Sequence, residues 1–388
     1  MAETELGAFA CRYPSDALCM ERAEDGTPRF FRAADPARQV FSYQKPFILE
    51  LEITRRCNLR CVHCYAHASD TGLTNELTLG EIERVLREGA ALGIGELSMT
   101  GGEVLLREDF PAIIDAALAL GYAVRFVTNA TLLNDELLAQ LCRRPIKLIT
   151  ISLDSVSPET HEQIRGDKSH APAMRNILRL KEAGFHLSII TAFSRLNLAE
   201  FDGLLEFCLQ NGLNWQIQMV SAKGRCERGI TLSPEEYYAL GEKVAAAYAA
   251  DLPIRIIPMD DLATCSHFAP LSRLAETWQG RCTGGVLTLF VRADGDVTPC
   301  SALCFAETVV GNVRRESLRA ICLEERCRRV LSWLTPELLT GVCADCPFKP
   351  ECGGGCPEIL LSMCRSRTEN EYCYRRIEQA RILEGIFR

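Results

Sequence analysis

The sequence predicts an α/β protein: a partial (β/α)6 barrel followed by a cysteine-rich, loop-rich C-terminal domain. Two observations carry that expectation. From residue 47 to about residue 219, short apolar strands alternate with amphipathic helices, the rhythm of right-handed βαβ crossovers and a parallel sheet. Beyond residue 280 that rhythm mostly stops, and Gly, Pro and Cys dominate.

Residues 1–46 contain YPSD, EDGTP and DPAR without a sustained period, and read as an irregular extension with room for one short element. FILELEIT (47–54) is the first strand. LTLGEIERVLREGAALG (77–93) is a helix that starts at Thr–Leu–Gly and ends on a glycine. ELSMT (96–100) is a strand, DFPAIIDAALALG (109–121) a helix, AVRFVTN (123–129) a strand and NDELLAQLC (134–142) a helix. KLITISL (147–153) follows as a strand, and 158–184 is helical in two pieces. HLSIITAF (186–193), a helix over LAEFDGLLEFCLQNG (198–212) and NWQIQMV (214–220) complete six strand–helix units. Six units stop short of a complete eightfold barrel. SPEEYYALGEKVAAAYAA (233–250) leads out as a helix, and YRRIEQARILEGIF (374–387) forms the last one. The domain limits are therefore an extension over 1–46, the barrel over 47–230, a bridging helical region over 231–281, the cysteine-rich domain over 282–375 and a terminal helix over 376–388.

A net charge of −8, with dispersed basic residues, is the wrong footprint for nucleic acid as a partner. The start, MAETELGAFACRY, lacks the basic and apolar regions of a signal peptide. No window approaches the roughly 18–20 apolar residues of a membrane span. The expectation is a cytoplasmic protein, where a disulfide framework is not maintained. The 20 cysteines then need another explanation. Cys11, Cys19, Cys142, Cys208, Cys226, Cys322 and Cys327 are scattered and read as small buried hydrophobes. The others are spaced like metal ligands.

Chemistry in parallel α/β structures sits at the carboxyl ends of the strands. The first strand ends at Thr54 and runs into RRCNLRCVHCY; the second ends at Thr100 and runs into Gly–Gly–Glu. Cys57, Cys61 and Cys64 are spaced C-x3-C-x2-C on that first loop. Three thiolates suit three irons of a [4Fe–4S] cluster and leave the fourth iron open, facing the second loop. A zinc site closed by His63 or His67 is the alternative.

CNLRCVHC (57–64), after a strand in a partial barrel, resembles the radical SAM superfamily, whose barrel is a partial (β/α)6 TIM-like one. The resemblance implies that the open iron chelates S-adenosyl-L-methionine (SAM). One electron then cleaves SAM to a 5′-deoxyadenosyl radical, which abstracts a substrate hydrogen. Gly101, Gly102 and Glu103 match the family's glycine-rich stretch, which places Glu103 on the SAM amino group. Val104 stands where proline is common, and Asn129–Ala130 where Asn–Gly is common. Ser152 and Asp154 match the position near the SAM ribose, although a strand-end Ser or Asp is also a good helix cap. Arg165 is assigned to the SAM carboxylate.

The second cysteine group runs Cys282, Gly295, Cys300, then Cys343-x2-Cys346-x5-Cys352-x3-Cys356, and Cys373. It is similar to the SPASM extension of radical SAM enzymes, which holds two auxiliary [4Fe–4S] clusters. By that resemblance Cys343, Cys346, Cys352 and Cys373 hold one cluster. Cys282, Cys300 and Cys356 hold three irons of the other, its fourth position taken by Cys304, by Cys265 or by no residue. Cys364 is left over as a buried thiol. Half of a zinc ribbon is the alternative for the C-x2-C-x5-C run. Several clusters in one chain suggest an electron route, with a flavodoxin or ferredoxin as exchange partner.

Enzymes of this type mostly modify peptides or proteins, so the expected function is that of a maturase that cross-links or dehydrogenates a ribosomally made peptide (a RiPP maturase). A leader-binding domain needs more chain than residues 1–46, so the expectation is a separate protein for that role. Two enzyme alternatives remain: a tetrapyrrole (haem-pathway) side-chain-modifying enzyme, and a formylglycine-forming sulfatase maturase. Ser301 stands where the latter carries a catalytic aspartate. A cluster-bearing electron carrier without radical chemistry would not need the Gly–Gly–Glu loop. Asp294, Asp296 and Glu307 read as turn or surface residues, not bases. Tyr65 and His67 face either substrate or cluster. An open-site cluster is oxygen-sensitive, so the expected setting is anaerobic or microaerobic.

Overall fold

Along residues 48–54 the side chains alternate: Leu49, Leu51 and Ile53 have no exposed surface, while Glu50 and Glu52 face the other way. Period-two alternation puts the apolar set against helices and the polar set inside the barrel. The computed structural model describes residues 47–258, 262, 266, 268, 271, 282, 284–285, 287–322, 326, 330, 336–349 and 352–385, with the backbone alone of 9–13, 16–22, 28–32, 323 and 350–351.

The described residues of the N-terminal extension are not irregular. β1 (Phe9–Tyr13), β2 (Asp16–Arg22) and β3 (Pro28–Arg32) form an antiparallel sheet, registered Tyr13 to Asp16 and Arg22 to Pro28. These three segments contain no Val, Ile or Thr, so the β-branched part of the strand signal is missing and only aromatics such as Phe9, Tyr13, Phe30 and Phe31 carry it.

The six expected parallel strands are present in sequential order: β4 (Ile48–Thr54), β5 (Glu96–Gly101), β6 (Ala123–Thr128), β7 (Leu148–Ser152), β8 (Leu187–Phe193) and β9 (Asn214–Met219). Between them lie α1 (Leu79–Ala91), α2 (Phe110–Ala119), α3 (Asp135–Leu141), α4 (Pro158–Arg165), α5 (His170–Glu182) and α6 (Phe201–Asn211). Thr78 and Glu81 form a capping box at the start of α1, where the sequence placed the helix start. Such a cap contributes about 1 kcal/mol. Ile82, Val85 and Leu86 of α1 and Ile113 and Ile114 of α2 are fully buried over the strands. Truncating one of them to alanine would cost about 2–5 kcal/mol.

The sheet extends beyond the expected six strands at both edges. In the bridging region α7 (Pro234–Ala249) is followed by β10 (Ile256–Pro258), a seventh parallel strand on β9. At the other edge β11 (Thr288–Val291) pairs in parallel with β4, and β12 (Asp296–Thr298) and β13 (Gly311–Asn312) continue antiparallel. The sheet therefore runs unbroken across the boundary placed at residue 282. Strands of two to four residues carry no readable periodicity, which is why the sequence hid them. The turn at Asp294–Asp296 does form, with Gly295 at φ +88° and the Asp296 amide on Asp294 Oδ1 at 3.2 Å.

The C-terminal region adds α8 (Leu318–Leu323), α9 (Lys349–Cys352), α10 (Pro357–Ser362) and α11 (Tyr374–Leu383). Tyr374 of α11 packs its ring 5.3 Å from that of Tyr237 and 5.1 Å from that of Tyr238, both on α7. Its hydroxyl donates to the Tyr237 carbonyl at 3.0 Å. Gly241 permits this approach, since a Cβ there would lie 1.9 Å from Tyr374 Oη. No described helix is long and apolar enough to cross a membrane.

Candidate functional site

The loop after β4 carries Cys57, Cys61 and Cys64, and backbone bonds hold it from several sides. The Cys57 amide donates to Ser69 O at 2.7 Å, and the Val62 amide to Ile164 O of α4 at 2.9 Å. The Arg225 amide donates to Cys64 O at 2.9 Å and its guanidinium to Cys61 O at 2.9 Å. The loop after β5 is zipped to the same segment: Gly102 N donates to Thr54 O and Glu103 N to Arg56 O, both at 2.8 Å. A Cβ on Gly101 would stand 2.3 Å from Thr54 O, and one on Gly102 would stand 2.2 Å from Arg56 O. Only glycine allows two backbones this close. Amides of Leu59 and Ala68 point at the sulfurs of Cys57 and Cys64, each at 3.4 Å. Burial pushes the Cys57 thiol up to about 12.

The three cysteines line a cavity of about 480 Å³ that reaches into the barrel, a size suited to small molecules and extended side chains. Gly101, Gly102, Ser152 and Arg165 share its wall. Glu103 and Asp154 do not. Glu103 has no exposed surface, and its carboxylate accepts from Thr128 Oγ1 at 2.6 Å, Asn129 N at 2.7 Å and Leu105 N at 3.1 Å. Burial raises its pKa, against the pull of those donors. Asp154 is equally buried; it meets His63 Nε2 at 2.8 Å and accepts from Ala192 N at 3.0 Å. Arg165 Nε lies 2.7 Å from the same carboxylate as an ion pair, its N–H not aligned as a hydrogen bond. Burial acts to raise the Asp154 pKa, but Arg165 and His63 outweigh it and hold the carboxyl below the ordinary range. His161 is pushed down to about 3 by burial and by Arg165, so it is neutral at pH 7. Tyr65 lines the cavity, and Lys223 Nζ lies 5.6 Å from its ring centre. His67 is exposed, with φ +51°.

In the C-terminal domain Cys343, Cys346, Cys352 and Cys373 line one small cavity together with Asn370 and Tyr372. Cys282 and Cys300 are neighbours: a Cβ on Gly284 would lie 3.3 Å from Cys282 Sγ and 3.6 Å from Cys300 Cβ. Cys304 donates to Ser301 O at 2.9 Å. Burial acts to lower the Lys223 pKa, but Glu358 above all, with smaller contributions from Cys304 and Cys300, outweighs it. Cys356 caps α10 and packs against the core. Cys364 is buried beside Asn370, with its sulfur accepting from Glu371 N at 3.4 Å. Cys265 and Cys327 lie outside the described residues, as do the side chains of Cys11 and Cys19. Among the described residues no three Cys, His, Asp or Glu side chains converge as ligands of a single ion would.

The C-terminal domain also reaches the barrel cavity, through Ser301, Ala302 and Glu358. Lys223 bridges the two regions, pairing with Glu358 at 2.9 Å and donating to Ala302 O at 2.7 Å. The sequence reading missed Lys223, Glu358, Arg225 and Arg125; none belongs to a spaced motif. A weak signal was Gly224, at φ +62°, whose Cβ would meet Cys64 O at 2.4 Å.

Comparison with known proteins bears on this arrangement. The radical SAM superfamily matches residues 51–208, and an iron–sulfur cluster-binding domain, SPASM, matches residues 282–347. An AdoMet-dependent heme synthase of Methanosarcina barkeri is 28% identical over 349 residues, covering 85% of this chain and 97% of its own length. The mycofactocin maturase MftC of Mycobacterium ulcerans is 27% identical over 316 residues, covering 80% of this chain and 83% of its own. Among solved structures, Streptococcus suis SuiB bound to S-adenosylmethionine superposes with a TM-score of 0.69 at 18% identity, covering 84% of this chain and 76% of that one. At that identity the likeness concerns the fold.

Proposed function

The chain is a radical SAM protein with a C-terminal SPASM iron–sulfur domain, and from that premise we propose that it cross-links or dehydrogenates a ribosomally made peptide or protein. The observation that carries this reading is the shared cavity. Cys57, Cys61 and Cys64 border one part of it, and Ser301, Ala302 and Glu358 of the SPASM domain border another. A substrate held there sits between the SAM-binding region and the auxiliary-cluster region, as a reaction that first removes a hydrogen and then an electron requires.

The donor set fits the cofactors. Cys57, Cys61 and Cys64 are three soft thiols on one buttressed loop, with amides aimed at two of the sulfurs. They would hold the SAM-binding [4Fe–4S] cluster. Cys343, Cys346, Cys352 and Cys373 would hold one auxiliary cluster. Cys282, Cys300 and Cys356 would hold the other, with Cys304 the described candidate for its fourth ligand. When bound, SAM and the cluster supply a hydrogen-abstracting radical by one-electron cleavage of the sulfonium. The chain's own residues orient the parts. Arg165 and Ser152 reach the cavity and suit the SAM carboxylate and ribose. Asp154 fixes Arg165 and His63 from behind. Glu103 holds the Thr128–Asn129 strand end beside Gly101 and Gly102, from where it would meet the SAM amino group. A flavodoxin or ferredoxin would deliver the electron, and the thiol set calls for a reducing cytoplasm.

Tetrapyrrole side-chain modification is the second reading, favoured by the match along 97% of the heme synthase relative. Formylglycine formation is disfavoured, because Ser301 offers a hydroxyl where that chemistry needs a carboxylate base.

Anaerobic reconstitution tests the proposal. The parent should hold about twelve irons per chain, and the Cys57/Cys61/Cys64 triple alanine variant about eight, without 5′-deoxyadenosine production. About four irons, or bound zinc, would sink the three-cluster assignment. Turnover of the peptide encoded beside the gene supports the maturase reading; binding of iron-coproporphyrin, seen as a Soret shift, supports the other.

A further inference from the structure

Resting on the reading that a substrate enters the barrel, we propose that Arg125 forms a carboxylate-recognising subsite for that substrate on the barrel's inner wall. Arg125 lies on β6, where Val124 is buried in the core and Arg125 lines the cavity beside Phe126 and Val127. It stands three residues before Thr128, so it lies about 10 Å below the strand ends that border the Cys57 loop.

Its charge has no protein partner among the described residues. Arg125 Nε is enclosed without a hydrogen-bond acceptor. The other cations on the wall are already neutralised: Arg165 by Asp154 at 2.7 Å, and Lys223 by Glu358 at 2.9 Å. In register, Arg125 faces Ser98 on β5 and Leu148 on β7, a hydroxyl and a hydrocarbon. Glu50 lies one strand beyond Ser98 in the same row, about 10 Å away by strand spacing, and accepts from Ser301 N at 3.1 Å. Arg125 is half-buried on the cavity wall, so its guanidinium is partly desolvated there with no counter-ion among the described residues, and an anionic ligand would supply one. Its planar fork matches a carboxylate through two parallel hydrogen bonds. The carboxylate belongs either to an Asp, Glu or C-terminus of a peptide or to the propionate of a tetrapyrrole.

The first test uses the SAM-loaded holoenzyme and a bare dicarboxylate, glutarate, and does not depend on knowing the substrate. Phenylglyoxal should modify Arg125, read by peptide mass mapping, and glutarate should slow that modification several-fold. Equal modification with and without glutarate, no modification at all, or complete protection by SAM alone would each overturn the subsite. The second test separates the sources. The gene-neighbour peptide is compared with its Asp→Asn, Glu→Gln and C-terminal amide forms, and iron-coproporphyrin with its methyl ester. The parent should prefer the carboxylate form of its true substrate by roughly 10- to 100-fold. Arg125→Met should erase that preference and Arg125→Lys should keep part of it; an unchanged preference in Arg125→Met overturns the proposal. If the parent binds neither probe, the substrate reading fails while the glutarate result still decides the subsite.

Discussion

Asp154 has no exposed surface, yet it holds two residues, His63 and Arg165, that reach the cavity. A buried guanidinium left without its carboxylate costs several kcal/mol, because its charge stays desolvated. Asp154→Asn should therefore lower stability by about 2–4 kcal/mol and weaken SAM binding, measured by thermal melting and equilibrium dialysis of the reconstituted protein. An unchanged melting temperature would mean that Arg165 finds another partner. At this scale the sequence was legible where ligands are spaced along one loop, as in Cys57, Cys61 and Cys64. It was not legible for Lys223 and Glu358, which meet across 135 residues of chain. Nor was Arg125 legible, since one polar residue in a strand looks like any solvent-facing one.

The Gly–Gly–Glu turn after β5 acts as an element, because the amides of Gly102 and Glu103 are bonded to the segment that presents the cysteines. Gly102→Ala places a methyl group 2.2 Å from Arg56 O, and backbone on both sides cannot yield cheaply. The expected result is loss of about four irons per chain with the C-terminal irons retained, read by iron analysis and Mössbauer spectroscopy. Full iron content would show that the two loops separate without harm. The six core strands and their helices were readable because each has a clear period, and α1, α3 and α4 also start on a capping side chain, such as Thr78 with Glu81. β1–β3 were unreadable for lack of branched residues, and β10–β13 because two to four residues hold no pattern.

Across the whole molecule, Arg314 ties the C-terminal domain to the barrel. Its guanidinium pairs with Glu81 of α1 at 2.6 Å and donates to Asn75 O, Glu76 O and Asp294 O. The hydrogen bond from Arg314, with the Thr78 amide, holds Glu81 down to about 2. A carboxyl with a depressed folded pKa adds stability above its unfolded value near 4.5, and that contribution fades as pH falls toward 2. Glu81 is partly solvent-exposed, so screening leaves about 1 kcal/mol. Glu81→Gln should lose that much at pH 7 and flatten the acid limb between pH 4.5 and 2 in urea titrations; an unchanged limb would show that the pair contributes nothing. At the other contact, Gly241→Ala should displace Tyr374 and cost about 1–3 kcal/mol, with earlier proteolytic release of α11. Unaltered digestion would mean that Tyr374 swings aside freely.

The pairing of β11 with β4 limits how such a protein can be cut and recombined. β4 is an interior strand only because β11 covers it. A gene truncated before residue 282 would leave the row from Ile48 to Leu51 with unpaired amides and carbonyls, an open edge ready to pair with another chain. The excised C-terminal piece would carry the matching edge. Chimaeras that exchange the cysteine-rich tail between relatives should thus stay soluble when the donor brings its own β4 along with β11, and should aggregate when the junction falls between them.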